Sequence, residues 1–560
     1  MHRLAAALTT ALVLLCAYVA NGDFLPSSDA VGNTYLPISV LRDGDMLFHP
    51  DDEPAMFKWR LREGDQVRPI ELRSLSEVVE GVPAAKRLGD GSLTMHEPFY
   101  YVVERPGGGY ANTFGPGAGL SALPVFGAAW VVLGDELFTR HDWIWHLSKL
   151  AAALLVALSG AAVCVAASRF VSWRVAVMVA LLYGLGTGVW STSSQVLWQH
   201  GPNTLFLALG VALLAWARLE RGTTDGDAAP VAWGCVVGAG AALGGAVACR
   251  PTSLLVVAVV AAWLTWRARR VGLAFMAGAL PPGIALAAHN AVMYGSPLHF
   301  GQTMASVAMA EEKTGVASVW SFALWESVPG LLVSPSRGVL IYSPIVAVAA
   351  AGLVLAWRRG AMDEALAELL KPLGLAALTL WLVAFAWYDW WGGWAFGYRP
   401  LVDTMPLVCV GLAPALLLAA EDRSRRAVAL GLAAFSIGVQ ALGAFSYSTL
   451  DWNNRPIYEV QLPDAPKPQL VVERGELEAL KARGGVVVRR GQMNIDKPQN
   501  RHRLWSVVDS QLLYYAQNPV EGRRSKEGFQ QVWVGLFAPR GVEGEHRGRP
   551  GRGGQPDEKK

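Results

Sequence analysis

Residues 149–168 read KLAAALLVALSGAAVCVAAS: one lysine at the edge, then nineteen residues without a charge. A helix rises about 1.5 Å per residue, so about 20 such residues span the ~30 Å hydrocarbon core of a bilayer. Runs near that length recur at 4–20, 175–191, 203–217, 231–249, 251–265, 271–291, 338–357, 371–388, 401–420 and 427–446, which makes eleven with the first. The segment 118–134 is also apolar, but it begins within GPGAG and contains Pro124, so it reads as interfacial or re-entrant, with a full twelfth span as the alternative. The expectation is an all-α polytopic membrane protein of about eleven transmembrane helices.

Composition agrees. Apolar residues make up 52% of the 560-residue chain and charged residues 17%, below the roughly 25% of soluble proteins. The net charge of +3 is the remainder of 48 basic and 45 acidic residues, so it gives no argument for a nucleic-acid partner. All five cysteines lie inside apolar runs, where neither a disulfide framework nor a zinc site fits. Tyr18 and Leu15 spoil the cleavage patterns a removable leader needs, so the first helix is read as an uncleaved anchor.

Basic residues fix the orientation, because cytoplasmic connections carry an excess of Lys and Arg. Arg169 and Arg174, Arg218 and Arg221, Arg267, Arg269 and Arg270, Arg358 and Arg359, and Arg423, Arg425 and Arg426 fall in every second connection. The alternate set holds 22–148, STSSQVLWQHGP (191–202), CRPT (249–252), 292–337 and YDWWGGWAFGYRP (388–400). This alternation puts the N-terminus in the cytoplasm and the C-terminus on the exoplasmic side of the cell membrane. The body is then 1–446, with 22–148 a long first exoplasmic loop. A small C-terminal exoplasmic α+β module follows at 447–540, where GGVVVRR and QVWVGLF look strand-like, and 541–560 is a disordered tail.

Candidate chemistry gathers on the exoplasmic side. Asp29, in FLPSSDAVGNTYLPISVLRDGD (24–45), can act as general base on a hydroxyl or hold a divalent cation beside a phosphate; the plain alternative is a cap on the helix that follows. HPDDE (49–53) has metal-ligating residue types without a metal spacing and reads as a solvated acidic loop. YANTFGPGAGLSALP (110–124) reads as a tight turn at the bilayer surface. His200 in SSQVLWQHGP can bind an anion or take a proton, or serve structure alone. Arg250 in CRPT stands at a helix junction and needs a partner if buried. Arg337 in SPSRGVLIYSP and Arg399 in WWGGWAFGYRPLVD can hold a phosphate by bidentate bonds, with tryptophans as a flat surface for a lipid or sugar, although an interfacial aromatic belt accounts for those rings equally. Asp403 is expected to pair with Arg399 across one helical turn.

With SSDAVGNTY, FGPGAGLSALP and the helix array together, the chain resembles the GT-C superfamily of polyprenyl-phosphate-sugar-dependent glycosyltransferases, near the protein mannosyltransferase and aminoarabinose transferase branch called family 39. The resemblance covers about residues 1–446, and SQVLWQHGP, SPSRGVLIYSP and WWGGWAFGYR look like segments of bacterial membrane proteins grouped with that superfamily. It implies inverting transfer of a sugar from a polyprenyl-phosphate donor to a lipid, glycan or protein acceptor. Asp29 would be the catalytic carboxylate, and His200, Arg250, Arg337 and Arg399 would bind the phosphate. Family members often carry an Asp-Glu pair where Asp29 is followed by Ala30, and often an acid where this chain has His200, so a divalent cation is a cofactor the resemblance leaves open. A transporter or lipid flippase is the competing reading. The scarcity of charge inside the runs and the long first loop weigh against it. A third reading is a non-catalytic scaffold that uses its C-terminal module to bind a partner.

Overall fold

The structure is a computed structural model that describes residues 2–25, 27–50, 52–53, 56, 58–63, 66–71, 78–79, 82–83, 93–95, 101–219, 231–302, 320–358, 360–449, 451–465, 467–471 and 474–519. Every apolar run read from the sequence falls on helix. Among the described residues, six helices are long and apolar enough to cross a membrane: His2–Val19, His141–Ala167, Arg269–Tyr294, Glu364–Ala386, Arg399–Glu421 and Arg423–Ser446. Six further apolar helices are shorter: Trp173–Leu185, His200–Trp216, Trp233–Cys249, Pro251–Arg267, Leu324–Val333 and Ile345–Leu355. Their outward faces carry Leu8, Leu12, Ile284, Val354 and Val428, each 60–64% exposed, a surface suited to an apolar medium.

Two runs are interrupted. The one at 175–191 ends as helix at Leu185 and continues as a single π turn, Val189–Ser193, while 338–357 is broken between Val339–Tyr342 and Ile345–Leu355 at Ser343 and Pro344. Segment 118–134 forms two short helices, Pro116–Leu120 and Leu123–Leu133; the longer covers only about 16 Å at the helical rise. The Leu324–Val333 helix, within a stretch read as a connection, was not anticipated.

Packing follows the small-residue content of the helices. Trp233–Cys249 and Arg269–Tyr294 approach so closely that a Cβ on Gly240 would lie 1.9 Å from the Phe275 carbonyl oxygen and one on Gly278 1.9 Å from that of Val237. The first helix is part of this body: Leu14 and Tyr18 are fully buried, and the Tyr18 hydroxyl donates to the Gly184 carbonyl at 3.1 Å. All five cysteines are free thiols.

Two polar annexes sit on the connections. In the first loop, Tyr110–Asn112 pairs antiparallel with Leu47–Phe48 and with Val102–Glu104, and Lys58–Glu63 pairs with Gln66–Glu71 and Leu93–Met95. HPDDE is not wholly solvated: Glu53 is 2% exposed, ion-paired with Arg42 and bonded by the His49 amide at 3.0 Å. Burial pushes its carboxyl above the usual range, against the pull of the His49 amide and Arg42. After the body, Asn454–Gln461 is the central strand between Gln469–Val471 and Val486–Asn494, all antiparallel. Leu477 and Leu480 of the Arg474–Ala482 helix bury against Val460, Leu462 and Val471, so this helix packs on the small sheet. QVWVGLF and the tail 541–560 lie outside the described residues.

Candidate functional site

The connections 22–30, 198–200, 249–253 and 387–403 meet at one end of the helix bundle around a cavity of about 860 Å³. Asp29, His200, Arg250 and Arg399 all line it. Four of the five site residues expected from sequence are thus brought together from positions up to 370 residues apart.

Asp29 lies in the Ser28–Ala30 turn that opens the Val31–Arg42 helix. That helix takes Ala30 as its N-cap, without a side-chain cap bond. The Asp29 carboxylate instead accepts from Arg399 Nη1 in a partly exposed ion pair. The Arg399 guanidinium also lies over the Trp198 ring, 5.1 Å from its centre, a cation–π contact that fixes the plane of the fork.

Asp403 does not pair with Arg399 as the α-helical spacing suggested. Residues Arg399–Thr404 form a 3-10 helix, whose three-residue turn stacks i on i+3 and rotates i+4 to another side. Asp403 therefore faces Arg250 and His200. Arg250 Nη1 lies 3.0 Å from Asp403 Oδ2, and His200 Nδ1 is 2.9 Å from Asp403 Oδ1. With the proton on Nδ1 donated to Asp403, the other ring nitrogen, 3.2 Å from Arg250 Nη1, is the acceptor. Arg250 reaches this position because it precedes Pro251, which disfavours helical backbone; it is extended, at φ −148° and ψ 116°, and ends the Trp233–Cys249 helix. A lone buried carboxylate costs several kcal/mol, and Asp403, 4% exposed, is matched by a cation and an imidazole.

Arg337 lies elsewhere, which corrects its expected place among phosphate ligands. It is fully buried, outside the cavity lining, and its guanidinium is consumed by neutral acceptors. Nε donates to the Trp391 carbonyl at 2.8 Å, Nη1 to the Ser336 carbonyl at 2.8 Å and Gln511 Oε1 at 2.9 Å, and Nη2 to the Gly393 carbonyl at 3.2 Å and Asn453 Oδ1 at 3.1 Å. With five bonds, the guanidinium has no donor left for a ligand.

Three residues of the site escaped the sequence reading: Tyr388, Asp389 and Asp496. Asp389 shapes the glycine turn that follows it, its Oδ1 accepting from the Gly393 amide at 3.3 Å and its carbonyl from the Gly392 amide at 2.9 Å. Gly392 and Gly393 have φ of +72° and +61°, where a side chain is disfavoured, so the paired glycines define this turn. Asp496 comes from the C-terminal module and accepts from Trp391 Nε1 at 3.0 Å. Burial raises the Tyr388 phenol well above its usual value, and the charges of Asp389, Asp496 and Asp29 add to the effect. Asp389 was legible as a carboxylate inside a tryptophan- and glycine-rich connection; Asp496 carried no local signal. The cavity walls include Trp145, Trp320, Trp387 and Trp394, with Leu254, Leu255, Leu380 and Val383 on the side nearer the bundle. The site thus has cations, carboxylates, flat aromatic faces and an apolar flank.

Among the described residues, no three His, Cys, Asp or Glu side chains come together as a cation's donor set, and Asp29 is engaged by Arg399. The described residues do not form a cradle for a divalent ion. Compared with models of known protein families, the chain matches none. No curated protein matches it either.

Proposed function

We propose that this chain is a GT-C-like membrane glycosyltransferase that moves a sugar from a polyprenyl-phosphate donor to a lipid, glycan or protein acceptor at the exoplasmic face of the cell membrane. The observation that carries the reading is the Asp29–Arg399 pair inside a tryptophan-walled cavity that also holds Arg250 and His200. In this reading the chain crosses the membrane about eleven times, with its N-terminus cytoplasmic and the cavity and C-terminal module exoplasmic.

The chemistry follows from what each group can do. A lipid phosphate entering the cavity competes with Asp29 for Arg399, because a guanidinium holds phosphate and carboxylate by the same bidentate geometry. Arg250, aligned by Asp403, offers the second cation. Released from Arg399, the Asp29 carboxylate takes the proton of an acceptor hydroxyl as the acceptor oxygen bonds to the anomeric carbon. The bond from that carbon to the phosphate oxygen breaks, and the electron pair leaves on the lipid phosphate, whose charge Arg399 and Arg250 stabilise. Attack opposite the leaving group inverts the anomeric centre. His200 orients Asp403 and accepts from Arg250, so it acts on the phosphate through the placement of that guanidinium. The apolar flank at Leu254, Leu255, Leu380 and Val383 accommodates the first isoprene units.

The test is transfer of labelled sugar from a panel of polyprenyl-phosphate sugars in membranes containing the protein. Label appears in an acceptor fraction for at least one donor, above membranes lacking the protein. Absence of transfer and of donor binding across the panel contradicts the reading and favours a transporter or scaffold.

A further inference from the structure

The connection 387–399, which carries Tyr388, Asp389, Trp394 and Arg399 to the cavity, is short of regular structure of its own and is held from behind. Its partners are Arg337 and residues of the C-terminal module, over a hundred residues later. Gln511, fully buried, accepts from the Gly397 amide at 3.0 Å and donates to the Ala395 carbonyl at 2.9 Å. Arg337 ties the Trp391 and Gly393 carbonyls to Gln511 and Asn453. Trp391 Nε1 reaches Asp496 at 3.0 Å, and the Arg501 guanidinium lies 4.3 Å from the Trp391 ring centre. Five hydrogen bonds to carbonyls and side-chain oxygens are far more than an incidental surface contact needs; they specify the shape of the loop.

On the strength of the glycosyltransferase reading, we infer that the C-terminal module is a working part of the site: Asp496 binds hydroxyls of the donor's sugar, and Arg337 is the positioning residue that holds the 387–399 loop for that sugar. Placement supports the sugar rather than the lipid end. A Cβ built on Gly393 would lie 3.6 Å from both Arg399 Nη2 and Asp389 Oδ2, so the phosphate-binding fork and a carboxylate flank the same turn. A group one bond away from a phosphate on Arg399 therefore falls beside Asp389. Asp496, held by Trp391 Nε1, lines the same cavity, and Trp394 offers a ring for the sugar's C–H face. Carboxylates accepting from hydroxyls beside an aromatic plane form a polyol-binding chemistry, whereas the isoprene chain has nothing to donate.

The experiment is equilibrium binding of two probes, a polyprenyl-phosphate hexose and bare polyprenyl phosphate, to the purified full-length protein. Wild type holds the sugar-bearing lipid more tightly than the bare one. Asp496→Asn keeps an acceptor for the Trp391 N–H and is expected to lower affinity for the sugar-bearing probe by about tenfold while leaving the bare probe unchanged. Arg337→Lys is expected to lose the same preference, with faster amide exchange across 387–399 and a smaller loss for the bare probe, because Arg399 is also held by Trp198 and Asp29; equal weakening of both probes would mark a merely structural defect. Gln511→Ala tests the same link should Arg337→Lys fail to fold. Preference intact in Asp496→Asn and in the Arg337 or Gln511 variant overturns the inference while leaving the glycosyltransferase reading in place. No preference in wild type also overturns it, and binding of neither probe by wild type sinks both.

Discussion

Arg337 and Arg399 occur in similar sequence, each in a connection rich in glycine and aromatic residues, yet their surroundings separate them. Arg337 is fully buried and spends its guanidinium on neutral acceptors, which fixes backbone. Arg399 keeps 17% of its side chain exposed, faces the cavity and rests against a carboxylate that another anion can displace. A buried cation with every donor satisfied is a structural part. A cation paired with a partly exposed carboxylate at a cavity wall stays within reach of a ligand.

That contrast can be broken by substitution. Arg337→Met removes five buried hydrogen bonds and takes from the Trp391 and Ser336 carbonyls their donor, so the purified protein should lose about 3–5 kcal/mol of stability, read as a large fall in Tm. A Tm within a degree or two of wild type would remove Arg337 from its structural role. Arg399→Ala should do the reverse: transfer falls by about 10²–10³-fold, as when one stabilising donor is lost, while stability changes by under about 1 kcal/mol because the pair is partly exposed. Comparable losses of stability in the two variants would erase the distinction. His200→Gln should lie between them, lowering transfer by about tenfold, since Gln can still donate to Asp403 but presents a different group to Arg250.

The smallest effect concerns the first loop. Burial raises the Glu53 carboxyl above its unfolded value, so the folded state binds this proton more tightly; the group's contribution to stability is present below the unfolded pKa and is lost as pH rises through the folded one. Glu53→Gln should therefore flatten the decline in Tm across that acid window, an effect under about 1 kcal/mol. An unchanged pH profile would show that Arg42 already compensates the burial.

How much of this was legible beforehand varies with the range of the interaction. Apolar length is a local property, and every apolar run carries helix, 149–168 without a break and 175–191 and 338–357 with one. The break of 118–134 into two short helices was also readable, because Pro124 and the glycines limit its helices. The partner of Asp403 was not, since the choice between an α turn and a 3-10 turn at 399–404 depends on packing that a local spacing rule does not contain. Arg337 was misplaced for a similar reason. Its acceptors Asn453 and Gln511 lie 116 and 174 residues away, and nothing near SPSRG marks them. Asp29, His200, Arg250 and Arg399 were found from residue type and from their places in basic-poor connections, before their shared cavity could be seen.

The most direct test of the central claim is sugar transfer from a polyprenyl-phosphate donor in membranes holding equal amounts of folded wild type or Asp29→Asn. Asparagine preserves shape and an acceptor for Arg399 but cannot take the acceptor's proton, so transfer should fall by about 10²–10⁴-fold with donor binding retained. Equal transfer by the two proteins would contradict the account, because the acceptor would then need no base at Asp29.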